Sequence, residues 1–253
     1  KKILVVTKFY IIFCVIKTSL YRIKNKKSIN LRSIINVTNS RITKTQLLKS
    51  YRRNFKLSEK EVFNNELKYL EKYKFLEPEI VDDINGKEFI SKIKLLDPYF
   101  FLTLGGPLYK KDILNSIRGI CINQHAGCSP YMKGSKTIEW AFYKRNIDFI
   151  GTTIHITRSG ADSGEILRRS QATIHVDDDI GTCFARVVAL GTELMIEVVQ
   201  DIINDKNIII FEQPLKAGYT FLSNNMEPFI IESIQRDHEN HWLSNEKNRL
   251  SNY

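Results

Sequence analysis

Three polar clusters hold the side chains best suited to chemistry: LGGPLY at 104–109, NQH at 123–125, and HITRSGADSGE at 155–165. His125 can accept or donate a proton near neutral pH. Asn123 can present an amide donor to an oxygen on which charge develops. Asp162 can orient an imidazole and support its positive charge. Asn123 and His125 are two apart, so an extended strand places them on the same side. Asp162 sits in a glycine-flanked loop, GADSG, able to approach from a neighbouring strand. No Ser or Cys occupies a GxSxG elbow. Cys128 is near His125 in sequence, which leaves a covalent Cys–His reading beside that of a small loop residue. His125, His155 and Asp162 also permit a metal-site reading, disfavoured because no further ligands accompany them. For His155 a buried structural histidine is the plainer alternative. His175, His238 and His241 stand in no motif.

These clusters need a scaffold that brings them together. KKILVV reads as a buried first strand. A helix is expected to about residue 22, a loop-rich stretch over 23–46, and a helix over 58–74. A short strand at 79–81 precedes a turn and helix in DINGKEFISKIKLL. YFFLTL at 99–104 is strand-like and is stopped by Gly105, Gly106 and Pro107. A short helix fits 110–117, and the strand GICINQH ends at His125. A helix over 135–145, capped by Ser135, leads to a strand at 149–157 and another at 165–173. The clearest helix spans 179–202. Phe184, Val187, Val188, Gly191, Met195 and Val198 lie near one face, and Asp178 or Asp179 can cap its start. This alternation argues for an α/β fold with a mainly parallel sheet. Ligands in such folds collect beyond the carboxyl ends of strands, where all three clusters fall.

Composition narrows the class further. At 253 residues with 43% apolar side chains, the chain can build one substantial core. Its four cysteines, at 14, 121, 128 and 183, form no CxxC pair, which suits a reducing, cytoplasmic environment. The most apolar segment, YIIFCVIKTSLY at 10–21, is too short for a membrane span and is broken by Lys17. Residues 1–58 contain fifteen Lys or Arg and no Asp or Glu, so the whole net charge of +10 is N-terminal. Such a field attracts phosphates; a solvated basic face is the blander alternative.

INQHAGCSPYMKG, at 122–134, resembles the formyltransferase signature of an Asn-x-His strand end followed by a Pro-containing, Gly-terminated loop. GTTIHITRSGADSGEIL, at 151–167, resembles the second signature, Gly-x-Thr-x-His leading to an Asp-x-Gly loop. The resemblance covers roughly residues 76–203. It implies a formyltransferase-type Rossmann-like α/β fold, with a mainly parallel central sheet and a short C-terminal elaboration. It makes Asn123, His125 and Asp162 the catalytic residues and His155 an auxiliary histidine. The co-substrate implied is 10-formyltetrahydrofolate, with no metal. Leu104, Gly105, Gly106, Pro107, Leu108, Tyr109, Ile154, His155, Ser163 and Gly164 are then the folate-pocket candidates.

Within that family the acceptor is a primary amine. NQHAG, PYMKGS and EWAFYKR look most similar to the branch that formylates nucleotide-linked amino-deoxysugars for surface polysaccharides. Lys8, Arg22, Lys133, Lys136, Phe9 and Tyr131 are its charge and packing candidates. The alternatives are a methionyl-tRNA or glycinamide ribonucleotide formyltransferase and, outside enzymes, a basic RNA-binding or scaffold protein. The expected organisation is a catalytic domain over 1–205 and a strand-rich C-terminal extension over 206–253. The apolar tail from Phe211 to Phe229 either packs on the core or forms a homodimer interface.

Overall fold

The computed structural model describes residues 2–7, 30–37, 79–81, 83–214, 216–239 and 242–245. The helices expected before residue 22 and over 58–74 lie outside them, as do Lys8, Phe9 and Arg22. A seven-stranded sheet forms the frame, in the order β3-β2-β1-β4-β5-β7-β8. Its strands are β1 (Lys2–Thr7), β2 (Asn30–Val37), β3 (Glu79–Val81), β4 (Phe100–Leu104), β5 (Ile120–His125), β7 (Gly151–Ile156) and β8 (Ile166–Gln171). β6 (Met132–Gly134) pairs in parallel with β9 (Tyr219–Phe221) in a separate two-stranded sheet. β2 corrects the loop-rich reading of 23–46.

The expectation of a mainly parallel sheet is also corrected: the sheet is mixed. β3, β2, β1, β4 and β5 run parallel. From β5 outward the pairing is antiparallel, β5 with β7 and β7 with β8. The segment after residue 206 continues this pattern through an antiparallel bridge between Phe211 and Ile166. The half of the sheet from β5 outward is therefore built on antiparallel register.

Both faces are covered. Helix α4 (Ile180–Ile203) packs Val188, Met195 and Val198 onto Leu102, Leu104, Ile122 and Ile154. Asp179 caps it by accepting from the Thr182 amide at 2.8 Å, while Asp178 pairs with Arg186 at 2.9 Å. Helices α1 (Lys87–Leu96) and α2 (Lys111–Ser116) cover the opposite face around Phe89, Ile93, Phe101 and Ile113. A third cluster joins α3 (Thr137–Tyr143) to the tail, through Phe142, Phe221, Ile230, Ile234 and Trp242. The tail contributes β9 and helix α5 (Pro228–Glu239), with Ile230 and Ile234 buried and Phe211 and Phe229 exposed. Ser135 does not cap α3; Lys136 is the cap residue, and the Ser135 hydroxyl instead bonds Ser223.

Among the described residues no helix is long and apolar enough to cross a membrane.

Candidate functional site

Strand register assembles the site. Thr103 on β4 neighbours Asn123 on β5, and Asn123 neighbours His155 on β7. The three side chains form one row on one face. The Thr103 hydroxyl donates to Asn123 Oδ1 at 2.7 Å, which fixes the amide so that Nδ2 faces the other way. Asn123 Nδ2 lies 3.1 Å from His155 Nε2 and donates to Asp162 Oδ1 at 3.2 Å. His155 Nδ1 is 2.8 Å from the Ile156 carbonyl. With Nδ1 carrying the proton, Nε2 accepts from Asn123.

His125 ends β5 and is 6% exposed. Its Nδ1 is 3.1 Å from Asp162 Oδ2, and its Nε2 is 2.7 Å from the Met132 carbonyl. Both ring nitrogens thus face acceptors, an arrangement that favours a proton on each. Burial opposes this: it pulls the His125 pKa below the ordinary value, against the Asp162 charge and the Met132 carbonyl.

Asp162 joins the network at its centre. Besides His125 and Asn123, it accepts from the Gly134 amide at 2.7 Å, and His155 Nε2 lies 3.3 Å from its Oδ1. Burial alone would raise its pKa. The charge of His125, the His155 bond and the Gly134 amide outweigh that and hold the carboxyl at about 2. Its backbone has φ 45°, a left-handed conformation that Asp tolerates better than most residues. Gln213 supports that turn: its Nε2 donates to the carbonyls of Asp162 at 2.9 Å and Gly164 at 2.5 Å.

The loop after His125 is pinned to β7. Thr152 Oγ1 donates to the His125 carbonyl, and Thr153 Oγ1 donates to the Gly127 carbonyl while accepting from the Ser129 amide. A Cβ on Gly127 would meet His125 Nε2 at 2.4 Å, so only glycine lets the ring reach Met132. Gly134 combines φ +90° with close approach to the Phe221 carbonyl, at 2.1 Å from an added Cβ.

A cleft of about 440 Å³ opens over this network. Leu104, Gly105, Gly106, Pro107, Leu108 and Tyr109 line it, with Asn123, His125, His155 and Asp162. Three pocket candidates do not line it. Ile154 is fully buried under α4, because strand alternation turns it away from His155. Ser163 and Gly164 lie behind the wall, and a Cβ on Gly164 would strike the Ile156 carbonyl at 1.7 Å. Cys128 is buried away from the cleft, and burial pushes its thiol up to about 11, which removes the covalent reading. Among the described residues no group of three His, Cys, Asp or Glu is arranged to hold a metal ion. Lys136 lines the cleft; Lys133 does not, and Tyr131 stacks on Phe149 outside it.

Thr103 and Gln213 were not anticipated. Thr103 was recoverable, since it shares strand position and face with Asn123. Gln213 lies far along the chain and carries no local signal. Gln124 also gains a role: it is buried and donates to the Val188 carbonyl at 3.0 Å, tying β5 to α4.

A family model described as formyl transferase matches residues 29–199. The chain belongs to that family. In sequence it is similar to a methionyl-tRNA formyltransferase of Thermodesulfovibrio yellowstonii, at 33% identity over 49% of this chain and 39% of that protein. A methionyl-tRNA formyltransferase of Caldanaerobacter subterraneus subsp. tengcongensis matches at 30%, over 58% of this chain and 47% of that protein. The chain thus spans less than half the length of these two curated relatives. A sugar N-formyltransferase from Shewanella superposes with a TM-score of 0.65 at 13% identity, over 92% of this chain and 85% of that one. At that identity the likeness speaks for the fold alone. The expectation of greatest similarity to the amino-sugar branch is therefore overturned: sequence similarity points to methionyl-tRNA formyltransferases.

Proposed function

We propose that this protein transfers a formyl group from 10-formyltetrahydrofolate to the α-amino group of methionyl-tRNA. The observation that carries the reaction class is the convergence of Asn123, His125 and Asp162 in one cleft. The co-substrate supplies a formyl carbon bound to a nitrogen leaving group. Asn123 Nδ2 and the His125 ring are the donors available to the formyl oxygen as the amine attacks. One carbon–nitrogen bond forms to the amine, and the one to the folate nitrogen breaks. A proton leaves the amine and ends on the folate nitrogen. His125, held by Asp162, is placed to carry it directly or through water.

Leu104, Gly105, Gly106, Pro107, Leu108, Tyr109 and His155 are assigned to the folate side of the cleft. Ile154, Ser163 and Gly164 support that side from behind it. The acceptor class is supported by the relatives matched in sequence. The fifteen basic and no acidic residues before position 59 also suit a polyphosphate partner. The test supplies 10-formyltetrahydrofolate with methionyl-tRNA, glycinamide ribonucleotide or an amino-sugar nucleotide, and follows tetrahydrofolate release. Release is expected with methionyl-tRNA. Turnover with another amine alone would overturn the acceptor, and no amine-dependent release at all would overturn the reaction.

A further inference from the structure

The cleft has a second wall that the folate assignment does not use. Gly134, Ser135 and Glu139 line it from the end of β6 through the first turn of α3, and Phe221, Leu222 and Ser223 from the tail. The β6–β9 pairing sets Gly134 beside Phe221, and Ser223 Oγ donates to Ser135 Oγ at 2.9 Å. This wall is fastened to the reacting groups. The Gly134 amide holds Asp162, and Thr137 Oγ1 bonds the Ala126 carbonyl next to His125.

Glu139 is its one carboxylate. Among the described residues no side chain hydrogen-bonds or ion-pairs with it; its own backbone amide is its hydrogen-bond donor, and Lys136 is a nearby charge. Burial raises its pKa, with that amide and Lys136 opposing. A half-buried carboxylate with no side chain bonded to it is costly, and a ligand cation reduces that cost. Leu222, which lines the same cleft, leaves 54% of its surface open as an apolar contact.

We propose that Glu139 and the Phe221–Ser223 segment form the acceptor subsite, which takes a primary ammonium flanked by an apolar side chain. Glu139 pairs with the ammonium, which gives up one proton, to Glu139 or to water, before the neutral amine attacks, and Leu222 covers the apolar group. The tail beyond residue 206 thereby contributes to acceptor choice. This inference rests on the formyl-transfer reading above, and its test is separable from it.

The probes are methionine amide and its desamino counterpart, each titrated into protein saturated with 5-formyltetrahydrofolate. The wild type is expected to bind the amine about tenfold more tightly, the effect of one charge-assisted pair. Glu139→Gln should abolish that preference while leaving folate affinity unchanged. Leu222→Ser should weaken both amides alike. Equal binding of the two amides by the wild type, or a preference that survives Glu139→Gln, overturns the subsite. Weakened folate affinity in Glu139→Gln overturns it too, by moving Glu139 to the other side of the cleft. Turnover on methionyl-tRNA reports separately on the acceptor: its absence beside an intact amine preference counts against tRNA and in favour of the subsite.

Discussion

Replacing Asp162 by Asn tests the network where most of its bonds meet. The carboxylate takes three donors, the Gly134 amide at 2.7 Å, His125 at 3.1 Å and Asn123 at 3.2 Å, and His155 Nε2 lies 3.3 Å from it. An amide of the same shape has one acceptor oxygen and no charge. If that oxygen keeps the Oδ2 place, with the short Gly134 bond and His125 on it, the NH2 group takes the Oδ1 place beside Asn123 and His155, and the Asn123 bond is lost. His125 then loses the charge that supports its protonated form. At ~1.5–3 kcal/mol for each charge-assisted bond, losing two amounts to ~3–6 kcal/mol. If the reaction uses protonated His125, turnover should fall by ~10²–10⁴-fold. The assay is tetrahydrofolate release under saturating co-substrate, with circular dichroism to confirm the fold.

Stability gives an independent reading of the same change. The folded carboxyl, at about 2, lies below its unfolded value of ~4. The folded state therefore binds fewer protons in that window. Its stabilising contribution is complete above pH ~4 and is lost as pH falls toward 2. The shift corresponds to about 2–3 kcal/mol. Asp162→Asn should therefore lose less stability than the wild type between pH 4 and 2. Turnover within threefold of wild type in a folded Asn variant would refute the reasoning, because no bond in the network would then be needed in the transition state.

Three further substitutions probe what supports that network. Thr103→Val keeps the shape and removes the hydroxyl that orients Asn123; a roughly tenfold loss of kcat with Tm nearly unchanged is expected, as one neutral hydrogen bond is worth ~1 kcal/mol. Gln213→Ala frees the carbonyls of Asp162 and Gly164 and should lower kcat about tenfold, whereas Gln213→Asn, one methylene shorter, should recover only part of it; steady-state kinetics on both variants check this. Gly191→Ala places a methyl 2.1 Å from Gln124 Nε2 and 2.5 Å from Thr152 Oγ1, an overpacking of ~1–3 kcal/mol that should appear as a lowered Tm in thermal denaturation.

The convergence of Asn123, His125 and Asp162 was legible because each depends on short-range order. Asn123 and His125 share a face by strand alternation alone, and a glycine-flanked Asp after a strand reads as a loop that can reach across. The same rule turns Ile154 away from the cleft. It adjoins His155 on one strand, so only one of them can face the cleft, and the apolar one goes under α4. The mixed sheet was partly recoverable too. The loop between Ile156 and Ile166 is shorter than the dozen or so residues of a parallel crossover, so β7 and β8 had to be antiparallel. The β5–β7 reversal was less accessible. Alternating strand and helix patterns normally signal a crossover, but β6 leaves the main sheet to pair with β9, and α3 packs on α5. Gln213, the pairing of β9 with β6 and the cover over α3 depend on contacts between distant segments, for which neither period nor motif leaves a mark.

The resting network bears on how such a site can work. Every donor assigned to the formyl oxygen already has a protein acceptor: Asn123 Nδ2 has His155 and Asp162, and the His125 nitrogens have Asp162 and the Met132 carbonyl. A donor so occupied must exchange an internal partner for the developing oxyanion. That exchange favours the transition state because the oxyanion is the stronger acceptor, whereas a neutral formyl oxygen competes poorly with a carboxylate or a backbone carbonyl. His125 has the most to exchange. The Met132 carbonyl on its Nε2 is neutral, and Asp162 on its Nδ1 keeps the ring oriented while the other bond is given up. The ring can then swap Met132 for the oxyanion with Asp162 still in place. Asn123 is held more firmly, by Thr103 on its oxygen and by His155 and Asp162 on its nitrogen. It is better suited to define the oxyanion position than to move toward it. In the formyl transfer proposed above, His125 is then the donor that responds to charge and Asn123 the donor that fixes geometry, and Asp162 contacts both.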